Sequence, residues 1–331
     1  MTRVEHDESR AFLATLSPAK RAVIRELHEV RPAWNAMALV YATLWIGTAF
    51  IVVGIPSWPV RVLGYIVMGA SLHSLGVLMH EGVHGNLFRK RNLDRWAAFL
   101  LGAPSLVSGA AYRVTHRLHH RHNRTEQDPD EFGNYARSPR LLSALFYIWG
   151  LIGMLIFLVH VPVHALRRGT PRDRQQILLE YGLLALLYTV VWLWAVRTDT
   201  TPLLLHGWLY PMVVMVAIVN VRGWSEHMLT QPGSALTQTR TVRSNRVVRF
   251  FLCNLNYHLE HHLFPSVPWY NAPRLHALLE DEIRAAGGYF YRSYSRFLWD
   301  AIRIGVHGHA PKLRPIPDRP LPAEAGGDSG P

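Results

Sequence analysis

The chain has 331 residues, 49% of them hydrophobic, and a formal net charge of +12. Its one cysteine, Cys253, excludes a disulfide within the chain and a thiolate-bound metal cluster. A basic balance suits nucleic acid, an anionic membrane face or an acidic protein. Here the apolar residues fall in long blocks with the charge between them, which points to a membrane and away from nucleic acid.

In chain order, residues 1–33 are charged and carry no signal-peptide pattern. Ser17-Pro18 predicts a helix start, Ser as cap and Pro in the first turn. Val23, Ile24 and Leu27 then share a face, so a short cytoplasmic helix is expected. Blocks 34–55 and 60–79, joined by Pro56-Ser57-Trp58-Pro59, each approach the ~20 residues that cross a bilayer and read as a transmembrane hairpin. Segment 96–111 is short and broken by Gly102, Pro104 and Gly109. Segment 141–166 is long enough to span and is followed by Arg167, Arg168, Arg172 and Arg174. Blocks 177–196 and 202–221 form a second hairpin across the turn at 197–201. Nothing beyond Arg222 is long and apolar enough to cross. Residues 34–309 therefore read as one membrane domain, and the Pro- and Gly-rich 310–331 as a disordered tail.

Histidine, at 19 residues, is the compositional anomaly. Eight fall in three motifs: His80-Glu-Gly-Val-His84, His116-Arg-Leu-His119-His120 and His258-Leu-Glu-His261-His262. A spacing of four puts imidazoles on one helix face, a turn apart. Imidazole suits zinc, copper and iron. Eight ligands are too many for one ion, and shared between two they leave room for oxygen; an iron–sulfur cluster is excluded. Metal-bound histidines give their second ring hydrogen to a carboxylate or carbonyl, a role open to Glu81, Glu226, Glu260, Asp128 and Asp130. His73 reads as a hydrogen-bonded structural residue, Asn220 as a polar group at a span end that could alternatively hold a metal-bound water. His160 and His164 read as lining of the interface or a tunnel, and His122 as exposed. His276, His307 and His309 lie outside the pattern.

If the three motifs form one site, they must meet on one side of the membrane. The two hairpins satisfy this only if neither 96–111 nor 141–166 crosses. The expectation is an all-α integral membrane protein with four transmembrane helices in two hairpins, interfacial segments at 96–111 and 141–166, and a cytoplasmic helical cap holding the metals. The charges agree: the inner connections hold Arg89, Lys90, Arg91, Arg95, Arg113, Arg117, Arg121 and Arg124, whereas the outer turns hold only Arg61 and Arg197. Both termini and the site are then cytoplasmic.

The strings HEGVHGNLF, HRLHHRHNRTEQDPD and NYHLEHHLFPSVPWYNAPRLH resemble the three-box signature of membrane fatty-acid desaturases and their hydroxylase and ketolase relatives, with similar span order over roughly residues 34–280. The resemblance implies two non-haem irons that activate dioxygen, bound by His80, His84, His116, His119, His120, His258, His261 and His262, with His227, just past the last span, as a ninth ligand. It implies an oxidoreductase that uses O2 and two electrons to desaturate a fatty acyl chain. A hydroxylase or ketolase of an alkyl, sphingolipid or carotenoid substrate uses the same centre. The first box has three intervening residues where many acyl-CoA desaturases have four, and the third begins with His258 where front-end desaturases have glutamine. No His-Pro-Gly-Gly haem signature is present, so a separate donor is expected, a ferredoxin with its reductase or a cytochrome b5-like protein, steered by the basic inner surface. The single-domain chain resembles bacterial inner-membrane members. In a different class, a zinc-dependent membrane hydrolase needs only about three protein ligands. A transporter needs polar groups along its spans, which here carry His73, Glu180 and His206 at most.

Overall fold

The computed structural model describes residues 3–231 and 233–308, so the expected tail at 310–331, and His309, lie outside the described residues. The chain is helical almost throughout. Helices α1 (Arg3–Thr15) and α2 (Pro18–Leu27) precede a 3-10 turn and α3 (Met37–Gly54), α4 (Trp58–His84), α5 (Arg91–Gly102), α6 (Gly109–His122), α7 (Pro139–Arg168) and α8 (Pro171–Arg197). The short α9 (Thr201–Leu204) continues through a π-helical turn, Leu205–Leu209, into α10 (Tyr210–His227). Then come α11 (Ala235–Gln238), α12 (Arg246–Phe251), α13 (His258–Leu263), α14 (Ala272–Ala285) and α15 (Tyr294–Ile304). Two short strands, β1 (Thr241–Val242) and β2 (Phe290–Tyr291), pair in parallel.

Five helices are long and apolar enough to cross a membrane: Pro32–Gly54, Trp58–His84, Pro139–Arg168, Pro171–Arg197 and Thr201–His227. Four show little burial, and residues such as Leu39 (71% exposed), Trp58 (76%) and Val213 (70%) face outward, as a lipid-facing belt requires. Helix α4 is the exception, with two-thirds of its apolar window buried. It forms the central post, packed on α3, α5 and α10. At Gly69 a Cβ would meet Val214 Cβ at 2.6 Å and the Pro211 carbonyl at 2.7 Å, so the missing side chain sets the α4–α10 distance.

Segment 96–111 folds as the end of α5, a 3-10 turn and the start of α6, with a bend of 99°. The start of α6 is deeply buried, and its first amides need partners. Ser108 accepts from Ala111 N (3.0 Å), and Glu180 of α8 accepts from Ala110 N (2.9 Å) and from the Ser108 hydroxyl (2.7 Å). This gives Glu180, an acidic residue inside an apolar helix, a structural role.

Helix α7 is broken at Ile152 (φ −129°, ψ 16°). Asn220 of α10 spans the break: its Oδ1 accepts from Met154 N at 2.7 Å and its Nδ2 donates to the Leu151 carbonyl at 2.7 Å. Its amide thus bonds the backbone on both atoms, a structural role at the span end, and Asn220 also lines the cavity. The two halves of α7 pack separately. Leu142 and Phe146 join Trp224 and Met228 at the His227 end of α10, while Val161 and Ala165 pack on Ala110, Ala111 and Ile177.

The N-terminal segment is two helices where one was expected. Ser17 caps α2 through Lys20 N. Phe12, Leu16, Ile24 and Leu27 bury against Leu259, Leu263, Leu275 and Leu279, so this segment roofs the third histidine motif.

Candidate metal centre

The first motif occupies the last turn of α4. Gly85, with φ 78°, takes the left-handed conformation that ends the helix, and Asn86 N donates back to the Glu81 carbonyl at 2.9 Å. The second motif lies in the last two turns of α6, and Arg124, at φ 61°, turns the chain away just beyond it. The third is α13 itself.

All nine histidines singled out in the sequence converge. His80, His84, His116, His120 and His261 present ring nitrogens within 4.8 Å of one another, and His119, His227 and His262 form a second such group. His258 joins the second group, its Nε2 lying 2.9 Å from His227 Nε2 and 3.1 Å from His262 Nε2. In the first group His116 Nε2 lies 2.9 Å from His84 Nε2 and 3.0 Å from His120 Nε2. Two ligands at right angles on a metal with bonds of about 2.1 Å stand about 3.0 Å apart. One ring nitrogen carries at most one hydrogen, so a three-way meeting of Nε2 atoms is poor hydrogen bonding and good coordination geometry. The nine imidazoles thus form neighbouring groups that could hold metal, and Glu226 stands within reach of His227 and His258.

Burial sets the charge state of the third motif. His258, His261 and His262 are held well below the ordinary histidine pKa, chiefly by loss of hydration and then by the neighbouring imidazoles. They are neutral, as ligands must be.

The carboxylates divide into two kinds. Asp128 accepts from His119 Nδ1 (3.1 Å), Arg124 N (3.1 Å) and Asp130 N (2.9 Å). That fixes the hydrogen on His119 Nδ1 and leaves Nε2 for the second group. Asp130 stands farther off, 3.7 Å from the same nitrogen. Glu226 lies 3.6 Å from His258 Nδ1 while accepting from Arg222 Nη1 at 2.7 Å, and Glu81 lies 3.5 Å from His80 Nδ1. Glu81 also ties two motifs together, accepting from Asn86 Nδ2 at 3.2 Å and from Trp269 N, just beyond the third motif, at 3.0 Å. Glu260 departs from expectation. It stands two residues after His258, on the opposite face of α13, and it accepts from Thr241 Oγ1 and His276 Nδ1. His276, which the motif pattern left out, is thus a buried strut; its Nε2 reaches Glu280 at 3.1 Å. The spacing of four between His276 and Glu280 was the available signal.

Above the metal-binding groups lies a cavity of about 210 Å³. It is lined by His80, His116, His119, His227 and His258, by the charged side chains of Arg124, Asp128, Asp130, Glu131, Arg222 and Glu226, and by Val107, Met154, Phe157, Met215 and Val219. His73 lines it two turns below His80 and donates from Nδ1 to the Phe251 carbonyl at 3.2 Å, the structural hydrogen bond expected of it. His160 reaches the same cavity and stacks on His164 at 4.0 Å, as tunnel lining would. His122 is half-buried and belongs to neither group; His307 is exposed and distant from both.

The family model described as Fatty acid desaturase matches residues 56–295. An sn-1 acyl-lipid omega-3 desaturase (ferredoxin) of Synechocystis sp. is 22% identical, covering 74% of this chain and 73% of its own. A dihydrorhizobitoxine desaturase of Bradyrhizobium elkanii is 27% identical over 76% of this chain and 77% of its own. A beta-carotene ketolase of Paracoccus sp. is 28% identical over 62% and 76%.

Proposed function

The chain belongs to the fatty acid desaturase family, and from that premise we propose that it is an integral-membrane di-iron oxidoreductase that desaturates a fatty acyl chain with O2 and two electrons. The observation that carries the reading is the meeting of nine imidazoles in neighbouring groups, five of them lining a largely apolar cavity. A one-zinc hydrolase needs only about three protein ligands, far fewer than the nine gathered here. When bound, two irons supply the oxidising power to break an unactivated C–H bond. The protein's task is placement. Val107, Met154, Phe157 and Met215 give an alkyl chain an apolar wall, and His80, His116, His119, His227 and His258 line the cavity where a methylene is presented. Asp128 holds the hydrogen of His119 on Nδ1. Buried walls keep competing reactants away from the site.

The proposed topology has four spans, α3, α4, α8 and the α9–α10 helix, with both termini and the metals cytoplasmic at a bacterial inner membrane. Two observations support it. The bent α5–α6 pair turns back on itself. Both ends of α7 lie at the histidine end, one against Met228 and the other, at Arg168, beside His84 and His120. In this reading residues 34–309 are one domain and 1–33 its cytoplasmic helical segment. Electrons come from a separate ferredoxin or cytochrome b5-like donor, a role for which the ferredoxin in the Synechocystis relative's name speaks. The ketolase relative makes ketolation or hydroxylation of a long apolar substrate the second reading.

The test is metal analysis of the purified protein, with lipid profiles of cells expressing it or His261→Ala. About two irons per chain and new unsaturated lipids from the intact form alone are expected. New hydroxyl or keto products select the second reading. Zinc near one per chain, with no oxygen-dependent product, refutes both.

A further inference from the structure

We infer that electrons enter through His84, at the floor of an arginine-lined depression that docks an acidic one-electron donor protein; the inference rests on the di-iron reading. Two surface hollows, neither of which shares a lining residue with the cavity, have Val83, His84, Arg117 and Ser266 in common and so form one depression. One lobe carries Arg121 and Arg168. The other carries Arg91 and Arg95. The carboxylates among the described lining residues are Asp94 and Asp173, and both are occupied. Asp94 accepts from Phe88 N at 2.8 Å, and Asp173 accepts from Thr170 Oγ1 and Arg113. Arg91, Arg117, Arg121 and Arg168 are exposed.

The histidines partition between the two faces. His84 and His120 line the depression, and neither lines the cavity. Both belong to the five-imidazole group. His84 is the half-buried member of that group, the others being buried, so within that group it is the ring most accessible from the depression. The cavity and the depression share no lining residue, so substrate and donor would use separate surfaces of the histidine cluster. A cationic bowl over a redox ligand selects a protein with an acidic face around a one-electron centre, by steering and by register. Each encounter moves one electron: the donor centre is oxidised by one and a ferric ion in the five-histidine group becomes ferrous. Two encounters deliver two electrons. With two protons and O2 they balance the conversion of –CH2–CH2– to –CH=CH– and two H2O.

The test uses the full-length holoprotein and a plant-type [2Fe–2S] ferredoxin, comparing wild type with Arg91→Glu/Arg168→Glu and, in case charge reversal disturbs folding, Arg91→Gln/Arg168→Gln. Three quantities are read: ferredoxin affinity against ionic strength, the rate of iron reduction by reduced ferredoxin, and the rate with photoreduced deazariboflavin, a small reductant that needs no docking. The reversed pair should bind ferredoxin roughly tenfold more weakly, with a flatter salt dependence. Its ferredoxin-driven reduction should slow in proportion, with iron content and the deazariboflavin rate unchanged and the glutamine pair intermediate. Equal ferredoxin affinity in all forms overturns the proposal. So does an equal loss in Arg61→Glu/Arg197→Glu, at the other end of the spans. A change confined to binding of anionic phospholipid vesicles assigns the arginines to lipid headgroups and overturns it as well. A wild type that binds ferredoxin but holds no iron fails the di-iron reading and leaves the docking face standing.

Discussion

At the residue scale, neighbouring carboxylates in similar motif positions do different work. Asp128 takes three N–H donors, one of them from His119. Asp128→Asn offers only one acceptor oxygen and releases the His119 tautomer. Iron affinity should fall about 10–100-fold, with little change in the unfolding temperature of the metal-free protein; iron titration with calorimetry checks both. Glu260 instead braces Thr241 and His276 from the far side of α13. Glu260→Ala should cost about 1–3 kcal/mol of stability, read by thermal unfolding of the metal-free form. His227 is one of four imidazoles in the second group. Its replacement by alanine should leave the five-histidine group intact, so iron content should fall from about two per chain towards about one with loss of product; binding of two irons refutes its placement.

At the element scale, two polar side chains inside apolar helices repair backbone that would otherwise be orphaned. Glu180 accepts from the first turn of α6, and Asn220 bridges the break in α7. An unpaired amide in a membrane-embedded site has no water to turn to. Glu180→Ala should destabilise by about 1–3 kcal/mol and lower iron occupancy, because α6 carries His116, His119 and His120. Asn220→Leu should destabilise comparably. Since Gly153 and Met154 line the cavity, it should also change chain-length preference, measured by product profiles against a series of acyl lengths.

For the whole molecule, the metals would join the inner ends of α4, α6 and α10 to α13, segments as far apart in sequence as His80 and His262. Chelation should therefore lower the unfolding temperature, and the metal-free protein should lose further stability in acid. The sign follows from the histidines of α13. Their folded-state pKa lies below the ordinary 6.5, so as pH falls below that value the unfolded chain takes up protons that the folded chain refuses. The contribution of these three histidines is full above about 6.5 and declines below it. Unfolding of the chelated protein from pH 8 to pH 5 checks this; a flat profile contradicts the buried, neutral imidazoles.

The sequence by itself pointed to the eight motif histidines that converge in the structure and to the apolar helices, because both patterns are local. A spacing of four fixes two imidazoles on one turn, and about twenty apolar residues in a row leave few alternatives to a helix in lipid. For 96–111 the expectation was only that the segment does not cross; the 99° bend between α5 and α6 was not foreseen. What only the tertiary structure decided depends on partners far away in the chain. These are the grouping of the histidines, the binding of Glu260 to His276, the lacing of α7 by Asn220, and the burial of α1 and α2 over the third motif. None has a local period or spacing to announce it. Which nitrogen faces which metal, and which ligand faces the surface, is set by how four helices converge.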